Sequence, residues 1–93
     1  MRLDLWLWRT RFFKSRALAA QAIADGQLRI TRAGTTRRVE KAGLPLRIGD
    51  RLNLILGSRV CLIEVVGLPD RRGPASEAQR HYRSIVNSAI DSA

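Results

Sequence analysis

Cysteine occurs once in the 93 residues. Cys61 therefore has no partner for an intramolecular disulfide, and thiolates cannot assemble a zinc site. It lies in an apolar run, which predicts a small buried hydrophobe. The single histidine, His81, stands between Arg80 and Tyr82 and reads as a solvated helix position rather than a ligand or base. No apolar stretch approaches the ~20 residues needed to span a bilayer, and Asp4 with the Trp pair interrupts any signal-like apolar core. A reduced, cytoplasmic setting without a membrane partner is the expectation. Paired carboxylates, a nucleophile with its base and a phosphate-cradling glycine loop are all missing, so the chain does not read as an enzyme. A cofactor and a small-molecule substrate are not expected either. The length suits one domain with a single small core.

Acidic residues and lysine are also scarce. There are 8 Asp plus Glu against 17 Lys plus Arg, a net charge of +9, and Arg outnumbers Lys by 15 to 2. Arginine's planar fork binds phosphate through two hydrogen bonds and stacks on bases, so this balance points to a geometric reader of a polyanion. Residues 1–41 carry 10 basic and 3 acidic side chains, whereas residues 42–93 carry 7 and 5. The first half therefore holds +7 of the excess and should build the binding face.

The most informative stretch is Arg11-Phe12-Phe13-Lys14-Ser15-Arg16, followed by Ala19, Ile23 and Gly26. Ser15 is a good N-cap, the segment after it is rich in alanine, and Gly26 suits the left-handed position past the last turn. Leu18, Ala19, Ala22 and Ile23 define one apolar face of this helix. Its mouth carries three basic side chains and a hydroxyl where backbone N–H groups point outward, a place suited to phosphate. Before it, Leu3, Trp6 and Leu7 fall at helical spacing over residues 3–9, with a strand as the competing reading.

Strand patterns follow. Leu28 and Ile30 flank Arg29, Ala33-Gly34 signals a turn, and residues 36–39 read as a short return strand. Gly49-Asp50 marks a further turn. Residues 51–56 and 60–66 then form a hairpin about Gly57-Ser58. Residues 69–74 read as a linker. Ala78, Tyr82, Ile85 and Ala89 make an amphipathic stripe that predicts a closing helix. The fold class is α+β, with two N-terminal helices packed on a small, mainly antiparallel sheet and a C-terminal helix.

The ordered series Arg2-Leu3-Asp4, Arg11-Phe12, Ser15-Arg16, Ala19, Ile23, Gly26 and Gly49-Asp50 resembles the RNA-binding domain named after ribosomal small-subunit protein S-four. Trp6-Leu7-Trp8, Arg11-Phe12-Phe13-Lys14, the run from Asp70 to Ala78 and Tyr82 extend the likeness to the bacterial heat-shock-protein-fifteen family. That resemblance implies an αL-type RNA-binding motif over residues 1–68 and a linker with a helical extension over residues 69–93. It further implies binding to structured RNA, namely ribosomal RNA of the large subunit, in a heat-shock or stalled-ribosome rescue role. Thr31-Arg32-Ala33-Gly34 departs from the Asn-Gly turn of many members, and Leu5 stands where a basic residue is frequent.

On this reading Arg11, Lys14, Ser15 and Arg16 meet phosphate at the second helix, and Arg2 and Arg9 extend the patch. Arg29, Arg32, Arg37 and Arg38 follow the RNA from the early strands, with only one of Arg37 and Arg38 facing it. Lys41 is a weaker candidate. Trp6 and Phe12 belong to the core, and Asp50 fixes a turn. Arg71 and Arg72 solvate a linker or touch RNA. Two other classes remain open: a helix-turn-helix-like DNA binder, and a protein-interaction module built on the closing helix.

Overall fold

Leu3, Trp6 and Leu7 repeat on one side of a short helix, α1 (Leu3–Arg9), and all three are fully buried in the computed structural model, which describes residues 1–85. The helix ends in a Schellman turn: the Arg11 N–H donates to the Trp8 carbonyl (3.1 Å) and the Phe12 N–H to that of Leu7 (3.0 Å). Arg11 takes the left-handed conformation this turn requires, φ 65°. The second helix, α2 (Arg16–Ala24), starts at Ser15, whose Oγ accepts the Leu18 N–H at 3.1 Å. It closes in the same motif, with Gly26 at φ 77° as the left-handed residue.

The strands are β1 (Leu28–Arg32), β2 (Thr35–Arg38), β3 (Arg51–Leu56), β4 (Arg59–Val65) and β5 (Tyr82–Ser84), all antiparallel, in the order β2-β1-β3-β4-β5. Ala33 and Gly34 both have positive φ between β1 and β2, as a type I′ hairpin demands. Alternation sends Leu28, Ile30, Leu52, Leu54, Ile63 and Val65 to one face, where they form the core with α1 and α2. The opposite face carries Arg29, Asn53, Ile55 and Val60.

Three expectations need correction. Leu18 was placed on the apolar face of α2 but is 51% exposed. The buried stripe is Ala19, Ala22 and Ile23, and Leu18 lies about 100° off it. Cys61 is half-buried against the core rather than sealed within it. Among the described residues the C-terminal helical segment is a single turn, α3 (Ala75–Ala78), followed by a 3₁₀ turn over Gln79–His81.

Tyr82 and Ile85, assigned by the stripe to a helix, instead belong to the β5 strand and its end, and Ala89 lies outside the described residues. Tyr82-Arg83-Ser84-Ile85 alternates as well as it repeats helically. The strand pairs otherwise unmatched groups along β4, including Ile85 N–H to the Leu62 carbonyl at 3.0 Å, and sets Tyr82 4.6 Å from Phe12.

Residues 67–73 run as a strap against α1. Trp6 Nε1 donates to the Gly67 carbonyl (2.9 Å), Arg9 Nη1 to Pro69 (2.8 Å) and Arg11 Nε to Gly73 (2.6 Å). In return Arg72 Nε donates to the Trp8 carbonyl (3.0 Å), with its guanidinium 5.5 Å above the Trp8 ring.

Candidate nucleic-acid interface

Asp4 sits in the first turn of α1, almost wholly buried, and gathers two of the predicted arginines. Arg2 donates from Nε and Nη2 to the two carboxylate oxygens, each at 3.1 Å, and Arg16 approaches Oδ2 through Nε at 3.4 Å. The Leu5 N–H adds a bond of 2.8 Å. Burial alone would push this carboxyl up. The Arg2 hydrogen bonds, the Leu5 N–H and the two positive charges outweigh burial and hold it below the ordinary carboxylate value. Asp4 therefore stays ionised, holds the Arg2 guanidinium by two bonds and draws Arg16 toward it by one contact. Arg16, at the first turn of α2, opposes the helix dipole, and Asp4 supplies the compensating charge.

Arg2 also lines a cleft of about 510 Å³ between β1, β2 and the 39–45 loop. Arg37, Arg38, Glu40 and Lys41 line it as well. Arg37 pairs with Ile30 across the hairpin and so shares the core-facing side of the sheet, whereas Arg38 pairs with Arg29 on the other side. A Cβ at Gly26 would lie 2.7 Å from the Arg38 guanidinium, which therefore packs over that glycine at the end of α2. The hairpin thus divides Arg37 from Arg38 by pleat.

The ten predicted residues do not form one surface. Arg2 meets Arg16 through Asp4 and shares the cleft with Arg37, with Ser15 as the α2 cap and Lys14 exposed beside it. Arg29 and Arg38 face away on the outer sheet. Arg9 and Arg11 are engaged by the strap, at Pro69 and Gly73. Arg32 grips Asp50 and the Pro45 carbonyl. Two contributors were underrated from sequence. Asp4 stood out in the sequence only as a break in the apolar N-terminus and a position of the S-four series, although the spacing Arg2-x-Asp4 could have signalled a local ion pair. Lys41 was ranked low because nothing local shows that the 39–45 loop folds back toward Arg2; the Leu3 N–H bond to the Leu44 carbonyl (2.9 Å) and the Asp4 N–H bond to that of Ala42 (3.1 Å) do this.

Residues 1–30, which supply α1, α2 and the start of β1, match the S4 domain profile. Heat shock protein 15 of Escherichia coli K12 is 35% identical over 91 residues, covering 95% of this chain and 62% of that protein. The heat shock protein 15 homolog of Haemophilus influenzae is 34% identical over 90 residues, covering 95% and 63%. The trimeric structure of Vibrio cholerae heat shock protein 15 superposes with a TM-score of 0.81 at 32% identity, covering 98% of this chain and 87% of that one. The chain belongs to the heat shock protein 15 family. It spans a little over three-fifths of the length of the curated family members it matches. The family likeness extends beyond the S4 segment to the whole five-stranded sheet. Among the described residues, this family member has no helix long and apolar enough to cross a membrane and no group of three His, Cys, Asp or Glu side chains placed to hold a metal ion.

Proposed function

We propose that this heat shock protein 15 family member is a non-catalytic RNA-binding protein of the cytoplasm that recognises structured RNA by its phosphates, with ribosomal RNA of the large subunit as target in a heat-shock or stalled-ribosome role. The observation that carries this reading is the array Arg2–Asp4–Arg16, continuous with Arg37 and Lys41 in the cleft. Guanidinium groups held by a buried carboxylate lose little further freedom on meeting phosphate, and their unused N–H groups remain available. Lys14 and the first turn of α2 extend the array. Arg29 and Arg38 form a second, outer contact, while Arg9, Arg11 and Arg32 act mainly by holding the fold. The RNA-binding unit is residues 1–68, and residues 69–93 form an extension.

A helix-in-groove DNA reading has less support. The exposed side of α2 presents Ala17, Leu18, Gln21 and Ala24, and the Gln21 amide is bonded to Asp25 at 2.9 Å. Such a face has few groups to read base edges. Binding to isolated large ribosomal subunits, titrated with salt and competed with duplex DNA, tests the proposal. Five or six phosphate contacts predict a slope of log affinity on log salt of roughly −4 to −5. Equal competition by DNA would leave only a basic surface and overturn the assignment.

A further inference from the structure

The cleft beside Arg2 is larger than phosphate contacts alone require. Its volume of about 510 Å³ falls within the ~300–1,000 Å³ typical of small-ligand sites. Val39 and Ile30 are buried beneath it, and Leu44 and Pro45 complete an apolar wall. Arg2, Arg37 and Lys41 supply positive charge, Arg38 borders the cleft with its guanidinium turned toward Gly26, and Glu40 is the one carboxylate among its lining residues.

The Arg2 guanidinium is held by Asp4 on one edge and lies against Gly43, where a Cβ would be 3.4 Å from Cζ. A guanidinium fixed in this way presents a flat platform, and arginine planes stack on nucleobases. A charged rim, an apolar wall, a planar cation and one acceptor together match the parts of a nucleotide.

Resting on the RNA reading above, we propose that this cleft receives one unpaired nucleotide of the bound RNA. The base lodges between the Arg2 plane and the wall of Val39, Leu44 and Pro45, and Arg37 and Lys41 hold its phosphates. Glu40 accepts hydrogen bonds from the base edge. A carboxylate only accepts, so it favours guanine, whose Watson–Crick edge offers N1–H and an amino group side by side. Uracil offers a single N3–H between two carbonyls, which repel the carboxylate. A continuous A-form duplex keeps its bases stacked inside and cannot fill the cleft.

The test uses the full chain and one RNA hairpin in four forms, fully paired or with a single bulged guanosine, bulged uridine or abasic bulge, with affinities measured by fluorescence anisotropy at fixed salt. The bulged guanosine should bind on the order of tenfold tighter than the paired and abasic forms, the weight of one stacked base. Glu40→Gln, at an exposed residue with no side-chain partner among the described residues, should abolish the preference for guanosine over uridine, whatever uniform change in affinity the lost charge brings to all four forms. Equal binding of all four forms would overturn the nucleotide seat while leaving phosphate recognition standing. Failure to bind any form would overturn the RNA reading and this inference with it. A guanosine preference that survives Glu40→Gln would remove Glu40 from the proposal.

Discussion

Arg32 and Asp50 face each other with two parallel hydrogen bonds, Nε to Oδ1 at 2.8 Å and Nη2 to Oδ2 at 2.6 Å. The pair joins the end of β1 to the turn entering β3. Asp50 also accepts the Arg47 N–H at 2.8 Å, and Arg32 Nη2 reaches the Pro45 carbonyl at 2.9 Å. Asp50 is buried, so removing Arg32 would leave its carboxylate with only a backbone partner.

Arg32→Ala should therefore destabilise the fold by about 1.5–3 kcal/mol, the usual weight of hydrogen bonds to charged groups. For a domain of this size, each kcal/mol corresponds to roughly 4–8 °C in midpoint. Thermal denaturation checks the magnitude. RNA affinity of the variant, measured well below its midpoint, should stay close to wild type. A large affinity loss in the folded variant would return Arg32 to the RNA face.

Acid should weaken the protein through Asp4 and Asp50. Burial raises both carboxyls, but Arg2, Arg16 and the Leu5 N–H at one site, and Arg32 and the Arg47 N–H at the other, bring them below the ordinary value. The folded state thus binds these protons less readily than the unfolded chain. Their contribution is complete above the unfolded carboxylate value of about 3.9 and is lost as pH falls through the lower folded values. Urea midpoints from pH 7 down to pH 3 should decline below about pH 4, and Asp50→Asn should flatten that decline. An unchanged acid limb in both Asp50→Asn and Asp4→Asn would show that other groups control it.

Arg11 occupies a glycine-like position, φ 65°, while its side chain bonds the strap at Gly73. Arg11→Ala loses that bond and keeps the backbone cost, whereas Arg11→Gly loses the bond and relieves the cost. The glycine variant should be the more stable of the two by roughly 1–2 kcal/mol. Chemical denaturation of both variants settles the sign. Equal stabilities would mean that the turn relaxes when the strap contact is cut.

Arg37 and Arg38 are neighbours in sequence and lie on opposite sides of the hairpin. Arg37→Ala should reduce RNA affinity about tenfold and make the salt slope shallower by about one contact. Arg38→Ala should do less, because its guanidinium rests over Gly26. Parallel salt titrations of the two variants compare them directly. The reverse ranking would move the principal RNA surface to the outer sheet.

The elements carried by local pattern were legible. Ser15 and Gly26 bracket α2 because capping and left-handed turns depend on residues a few positions apart. The alternation of Leu52, Leu54 and Leu56 marks β3 because a strand repeats every two residues. Tyr82 and Ile85 were misread because their spacing of three fits a helix, while the unpaired edge of β4, which draws them into a strand, is a distant feature. The candidate site was legible as a charge inventory: Arg2, Arg16 and Arg37 could be named, but not separated from Arg9, Arg11 and Arg32. Each of the latter three finds its carbonyl or carboxylate 13 or more positions away, beyond the reach of any local pattern.

Sequence alone determined that this chain is small, strongly basic, rich in arginine and built from helices followed by an antiparallel sheet, because charge is additive and hydrophobic period is local. Tertiary structure decided which guanidinium groups remain available and which are committed to the fold. That choice depends on strand register, on the path of the 67–73 strap and on the burial of Asp4 and Asp50, all products of the assembled core.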